Sequence, residues 1–128
     1  MNVPAELRYS EDHEWTRVEG NRVCLGITDY AQDALGDVVY IELPSIGAEV
    51  AVGAPFSEVE STKSVSEIYS PVTGTIVEVN TDLVDSPERL NEDPYGEGWI
   101  CVIEAADLSE LDSLLSAAAY ADLTESVD

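Results

Sequence analysis

The chain has 128 residues, with 27 acids against 5 bases and a formal net charge of −22. That length suits one domain, 1–128, whose core needs no disulfide or metal staple. The charge makes nucleic acid and anionic membrane poor partners, because phosphate contacts require Lys and Arg. It leaves a basic partner surface, or a halophilic cytoplasm whose salt screens self-repulsion. No run reaches the length of a membrane span. Residues 1–15 have the character of neither a secretory signal nor a transit peptide, so a cytoplasmic location is expected.

Residues 14–18 and 23–27 are apolar-rich around Glu19-Gly20-Asn21, which predicts a hairpin. Thr28 caps a short helix over 29–35, with acid in its first turn and Gly36 at its stop. Residues 38–43 read as a strand ended by Pro44. Gly47 and Gly53 bracket a short strand at 50–52. Residues 56–61 and 65–70 both alternate with period two, the mark of strands. The gap between them fits only a tight turn, so Thr62-Lys63 should project at a hairpin tip. A strand over 75–80 follows Gly74. Ser86-Pro87-Glu88 predicts a helical turn near 87–90. Residues 93–98 form a loop and 99–104 a strand. Asp107-Leu108-Ser109-Glu110 resembles a capping box. Leu108, Leu111, Leu114, Leu115 and Ala118 then share one face of a predicted helix over 107–120. The tail, 121–128, is expected to fray, leaving a core over 7–104. Gly53, Phe56 and Val59 echo the spacing of Gly96, Trp99 and Val102. Two such halves would close into a flattened, mainly β sandwich of two sheets.

The most informative residue is Lys63, the one lysine of the chain. Lysine is ordinarily among the commonest residues, so a chain that keeps one invites a chemical reason. A primary amine forms an amide with an acyl donor, which a guanidinium does not. Lys63 is therefore the leading candidate for covalent modification. Ser61, Thr62 and Ser64 around it are small and polar, as an attachment point requires. Cys24 and Cys101 lack CxxC spacing and read as reduced, buried small residues. His13, the only histidine, reads as structural, because no second ligand is spaced for a metal. Trp15 and Trp99 read as core.

Val59-Glu60-Ser61-Thr62-Lys63-Ser64, followed by Ile68-Tyr69-Ser70-Pro71-Val72-Thr73-Gly74, resembles the lipoyl-lysine hairpin of the glycine cleavage system H protein family. His13-Glu14-Trp15, Gly26-Ile27-Thr28-Asp29-Tyr30-Ala31-Gln32, Leu35-Gly36-Asp37-Val38-Val39 and the run from Asn91 to Trp99 match the same family in order. Together they cover most of residues 7–102. The resemblance implies a lipoyl-domain-like fold, the hybrid motif, with lipoate attached to Lys63. It implies a carrier and not an enzyme, acting as a monomer. Its partners would be glycine decarboxylase with pyridoxal phosphate, aminomethyltransferase with tetrahydrofolate, dihydrolipoamide dehydrogenase and a lipoate-attaching enzyme. Glu60 and Glu67 then read either as solvated strand faces or as recognition marks for the attaching enzyme, and Gly74, which matches a family glycine, either as a residue of backbone geometry or as a third such mark. Glu14 reads either as an ordinary exposed strand acid or as the acid that holds the aminomethyl arm in a surface cleft.

Four rivals are weighed against this. A biotin carrier places methionine on both sides of its lysine, whereas Thr62 and Ser64 stand here. A Schiff-base enzyme needs a pocket that a turn does not offer. A lipoyl domain cut from an acyltransferase would lack the His-Glu-Trp start and the closing helix. A lipoate relay or reservoir remains open as an added role.

Overall fold

The computed structural model describes residues 2–126. In chain order the elements are β1 (Arg8–Tyr9), β2 (Glu14–Glu19), β3 (Arg22–Ile27), α1 (Asp29–Leu35), β4 (Val38–Glu42), β5 (Glu49–Val50), β6 (Pro55–Ser61) and β7 (Val65–Tyr69). There follow β8 (Gly74–Val79), α2 (Asp82–Asp85), α3 (Arg89–Glu92), β9 (Cys101–Ala105), a 3-10 helix (Leu108–Ser113) and α4 (Ala117–Ser126). All named strand pairs are antiparallel. A six-stranded sheet runs β1-β2-β3-β9-β8-β5, and a three-stranded sheet runs β4-β6-β7. Apolar residues at alternate positions meet in one core, with Leu25, Ile76 and Ile103 from the large sheet and Ile41, Val59 and Ile68 from the small one. The expected mainly β, two-sheet fold is therefore present. The echoed segments fall one in each sheet, Val59 on β6 and Val102 on β9.

Local signals place α1 as read. Thr28 Oγ1 accepts from Ala31 N at 3.2 Å, and Gly36, at φ 80°, ends the helix with its N–H on Gln32 O. Asn91 then staples the exit. Its side-chain amide donates to Gly36 O at 2.8 Å, and its carbonyl oxygen accepts from Val38 N at 2.8 Å. A second cluster, Leu7, Tyr9, Trp15 and Tyr120, closes the other end of the large sheet. There the Trp15 indole lies across Gly26, where a Cβ would come within 2.7 Å of the indole nitrogen, and donates to Pro94 O.

Four expectations need correction. The helix over 107–120 is not continuous. Leu108–Ser113 is 3-10, and Leu115 exchanges backbone hydrogen bonds with Tyr9 at 2.9 and 2.7 Å before α4 begins. Pairing with a residue a hundred positions away overrides the local helical pattern. Leu108 and Ala118 are accordingly exposed instead of sharing a buried face. The tail is helical through Ser126, with Thr124 buried; residues 127–128 lie outside the described residues. The capping box is incomplete. Asp107 accepts from Ser109 N at 3.0 Å, but Glu110 turns away to hold Thr73, accepting from its N–H at 2.7 Å and its hydroxyl at 3.0 Å. Helical turn 87–90 lies slightly later, at Arg89–Glu92, and α2 was not foreseen.

Gly74 explains itself sterically. A Cβ there would overlap the Glu104 carbonyl oxygen and press on Ile103. Both neighbours belong to β9, directly paired with β8. Gly74→Ala is expected to lower stability by about 2–3 kcal/mol through forced strand separation. The midpoint of a urea unfolding curve reads that loss.

The candidate lipoyl-lysine site and its cleft

Lys63 sits on the exposed turn between β6 and β7. The turn is built by one hydroxyl: Ser61 Oγ accepts from Lys63 N at 3.3 Å and Ser64 N at 3.1 Å, while Ser61 N donates to Ser64 O at 2.8 Å. Such side-chain-to-backbone bonding is why serine suits turns. Thr62 N donates to Asp37 O at 3.0 Å, which ties the tip to the chain leaving α1. The lysine stem passes over Gly36, where a Cβ would stand 3.2 Å from Lys63 Cε. Among the described residues each of the four arginines meets an acid or a ring, in Arg8–Asp112, Arg22–Glu78, Arg89–Glu97 and Arg17 over Trp15. The Lys63 amine has no such partner among them.

Strand register sets the acids around the turn. Glu60 pairs with Tyr40 and Val65 across the small sheet, and Glu58 pairs with Glu42 and Glu67. Glu60 and Glu67 thus share the outer face on neighbouring rows, both exposed. Like charges directly opposite disfavour a sheet, so the Glu42–Glu58–Glu67 row is held by the core beneath it. Gly74 is elsewhere, in the large sheet opposite Val50 and Ala105.

A cleft of about 260 Å³ runs from the lysine turn to the start of β2. Ser64, Ser66 and Glu67 line one side, and Asp12, His13 and Glu14 the other. Tyr30, Ala34 and Leu35 of α1 close its wall. The structure therefore brings together Lys63's strand, Glu67 and Glu14, but leaves Glu60 outside.

Glu14 is not the ordinary exposed acid its strand position allowed. It is 2 % exposed. Ser10 donates from its hydroxyl to one carboxyl oxygen at 2.5 Å, and Tyr69 N donates to the other at 3.2 Å. Burial dominates over these bonds and pushes its pKa up from 4.5 to about 7. The carboxyl is therefore poised between its two forms near neutrality. Its predecessor His13 takes φ 70°, an uncommon conformation outside glycine. The lowered pKa of His13 follows first from burial, against an opposing pull from Asp12.

Two contributors escaped sequence reasoning. Ser10 and Tyr120 carry no motif, and only their fold neighbours reveal them. The thiols are inert. Burial pushes Cys24 up to about 11 and Cys101 higher still. No three His, Cys, Asp or Glu side chains among the described residues form a metal-sized group. No helix among them is long and apolar enough to cross a membrane.

Comparison with known proteins agrees with this geometry. The glycine cleavage H-protein family profile matches residues 7–127. The glycine cleavage system H protein of Geobacillus thermodenitrificans is 59 % identical over 121 residues, which is 94 % of this chain and 95 % of that protein. That of Bacillus subtilis is 51 % identical over 125 residues, 98 % of each. A crystal structure of a glycine cleavage system H protein from Mycobacterium marinum superposes with a TM-score of 0.89 at 40 % identity, over 96 % of this chain and 99 % of that one. With a profile match over nearly its whole length and relatives above half identity, this chain belongs to the glycine cleavage H-protein family.

Proposed function

We propose that Lys63 is the residue through which this chain, a lipoyl carrier of the glycine cleavage system, holds its lipoyl group. The observation that carries the reading is the placement of an exposed amine, without an ion-pair partner among the described residues, on a turn whose following strand borders a cleft ending at a buried carboxyl. The residues fit the group. The turn gives a modifying enzyme access, and the cleft is open along β7 for a tether that folds back. When bound, the dithiolane supplies a redox-active disulfide whose sulfur can accept a one-carbon amine.

The chain's own side chains then bind and shield. Glu14 meets the cargo's ammonium at the end of the cleft. A cation arriving there favours the carboxylate, and a carboxyl poised near 7 gives up its proton at little cost. Ile27, Leu35 and Ile68 line the cleft with hydrocarbon and keep water from the cargo. Glu60 and Glu67 present carboxylates to the lipoate-attaching enzyme from the outer face of the small sheet. Gly74 contributes by letting β8 close on β9. The partners are glycine decarboxylase, which loads the aminomethyl group, aminomethyltransferase, which removes it to tetrahydrofolate, and dihydrolipoamide dehydrogenase, which reoxidises the dithiol. The family is one of carriers, and we assign this chain no catalytic residue.

Attachment itself tests the reading. Amide formation removes one positive charge, so the formal net goes from −22 to −23. Incubation with a lipoate-attaching enzyme, ATP and lipoate is expected to yield one lipoyl increment by intact mass and a faster-migrating band on a native gel. A wild-type protein that never gains mass would refute the assignment.

A further inference from the structure

α4 lies far from the lysine in sequence, yet one of its side chains meets His13, which lines the cleft. Tyr120 is fully buried, stacked on Tyr9 with ring centroids 4.7 Å apart. Its hydroxyl stands 2.7 Å from His13 Nδ1 and 2.7 Å from Thr28 Oγ1. It therefore bridges the residue before Glu14, which lines the cleft, to the N-cap of α1, the helix that closes the cleft wall.

The protons in this chain of three groups can be assigned. Thr28 Oγ1 already accepts from Ala31 N, so its own proton must go elsewhere. Among the described residues its other polar neighbour is the Tyr120 hydroxyl. Thr28 is fully buried, and an unsatisfied hydroxyl proton there would be costly. Thr28 thus donates to Tyr120, and Tyr120 donates its single proton to His13 Nδ1. An imidazole that accepts at Nδ1 is neutral, with its proton on Nε2.

We infer that Tyr120 is a positioning residue of the cleft, whose hydroxyl holds His13 neutral and in place so that no imidazolium competes with a cationic amine for Glu14. The inference rests on the reading of Glu14 as the acid that meets the cargo. His13 lines the cleft beside Glu14, and its ring also packs at a tilt against Tyr30, with centroids 4.7 Å apart. Asp12, Glu14, Tyr30 and Tyr120 are the titratable groups around it. Asp12 favours imidazolium and burial opposes it; a proton donated from Tyr120 to Nδ1 acts in the same direction as burial. The same bridge steadies a backbone at φ 70°, immediately before the carboxyl that must point inward.

The test begins with wild-type protein. It contains one histidine, so nitrogen-15 NMR shows a single imidazole. At neutral pH, Nδ1 is expected as the unprotonated acceptor and Nε2 as the protonated nitrogen. A protonated Nδ1 in the wild type overturns the inference whatever any variant does. Tyr120→Phe keeps the ring, its burial and the Tyr9 stack. It is expected to raise the His13 pKa, to mix the tautomers and to hasten decay of the aminomethyl-loaded protein roughly tenfold, as for one lost hydrogen bond. Its lipoylation rate is expected to match wild type. Unchanged tautomer and decay in Tyr120→Phe refute the positioning role. If Glu14→Gln accelerates decay while Tyr120→Phe does not, the cleft reading stands and this inference alone fails. If Glu14→Gln also leaves decay unchanged, the cleft reading fails and takes this inference with it.

Discussion

Lys63→Arg is expected to reduce glycine-dependent exchange of bicarbonate by glycine decarboxylase to the rate of the decarboxylase alone. Arginine keeps the positive charge and most of the stem length, so it preserves what the turn presents electrostatically. It lacks a primary amine, so no lipoyl amide can form. Tethering supplies an effective concentration in the millimolar range, and its loss is expected to lower exchange by at least roughly 100-fold under dilute conditions. The fold should not change. Lys63 is exposed, its turn is held by Ser61 and Asp37, and no ion pair depends on it among the described residues. Lys63→Arg and Lys63→Ala should both unfold within roughly 0.5 kcal/mol of wild type. Exchange that survives in a correctly folded Lys63→Arg protein would mean that the attachment point lies elsewhere. A loss of several kcal/mol in Lys63→Ala would mean that the lysine stem on Gly36 is part of the structure.

How much of this was legible depends on the range of the interaction. α1 is read to the residue, because its cap, its acidic first turn and its glycine stop all lie within nine positions. The β6–β7 hairpin is read because period two and a short gap are also local. The 3-10 segment and the break at Leu115 are not legible, because the partner of Leu115 is Tyr9, and a helical stripe of leucines says nothing about a distant strand. Glu14 shows the same limit within the site. Strand alternation leaves either face open to a residue at the start of β2. Only the arrival of β7, through Tyr69 N, and of Ser10 makes that position an interior one. Tyr120 is the extreme case. Its role is fixed by two hydrogen bonds to residues 107 and 92 positions away.

Glu14→Gln is expected to move two quantities in opposite directions. The first is stability. Glu14 has a folded pKa of about 7 against 4.5 when unperturbed. Between these values the native state holds more proton than the unfolded chain, so stability falls as pH rises from about 4.5 to 7 and is then level. Below 4.5 both states are protonated and the penalty is absent. Fully developed, the penalty is about 3 kcal/mol, with the bonds from Ser10 and Tyr69 already offsetting part of the burial cost. Glutamine has no such titration. The variant should gain on wild type as pH rises from 5 to 8 in paired urea unfolding curves, where the contributions of the shared acids cancel. A constant difference across that range would mean that Glu14 is ionised throughout.

The second quantity is the lifetime of the loaded aminomethyl group. A neutral amide offers the cargo's ammonium a hydrogen bond without the charge. The lost charge-assisted part, about 1–1.5 kcal/mol, corresponds to decay faster by roughly 5- to 12-fold. A buried acid with no part in holding the cargo would give a variant that is more stable above pH 7 and otherwise unaltered. A buried acid kept for the cargo gives one that is more stable above pH 7 and worse at holding what it carries. Measuring both on the same preparation therefore separates the two roles, because a structural account yields the gain in stability without the shortened lifetime.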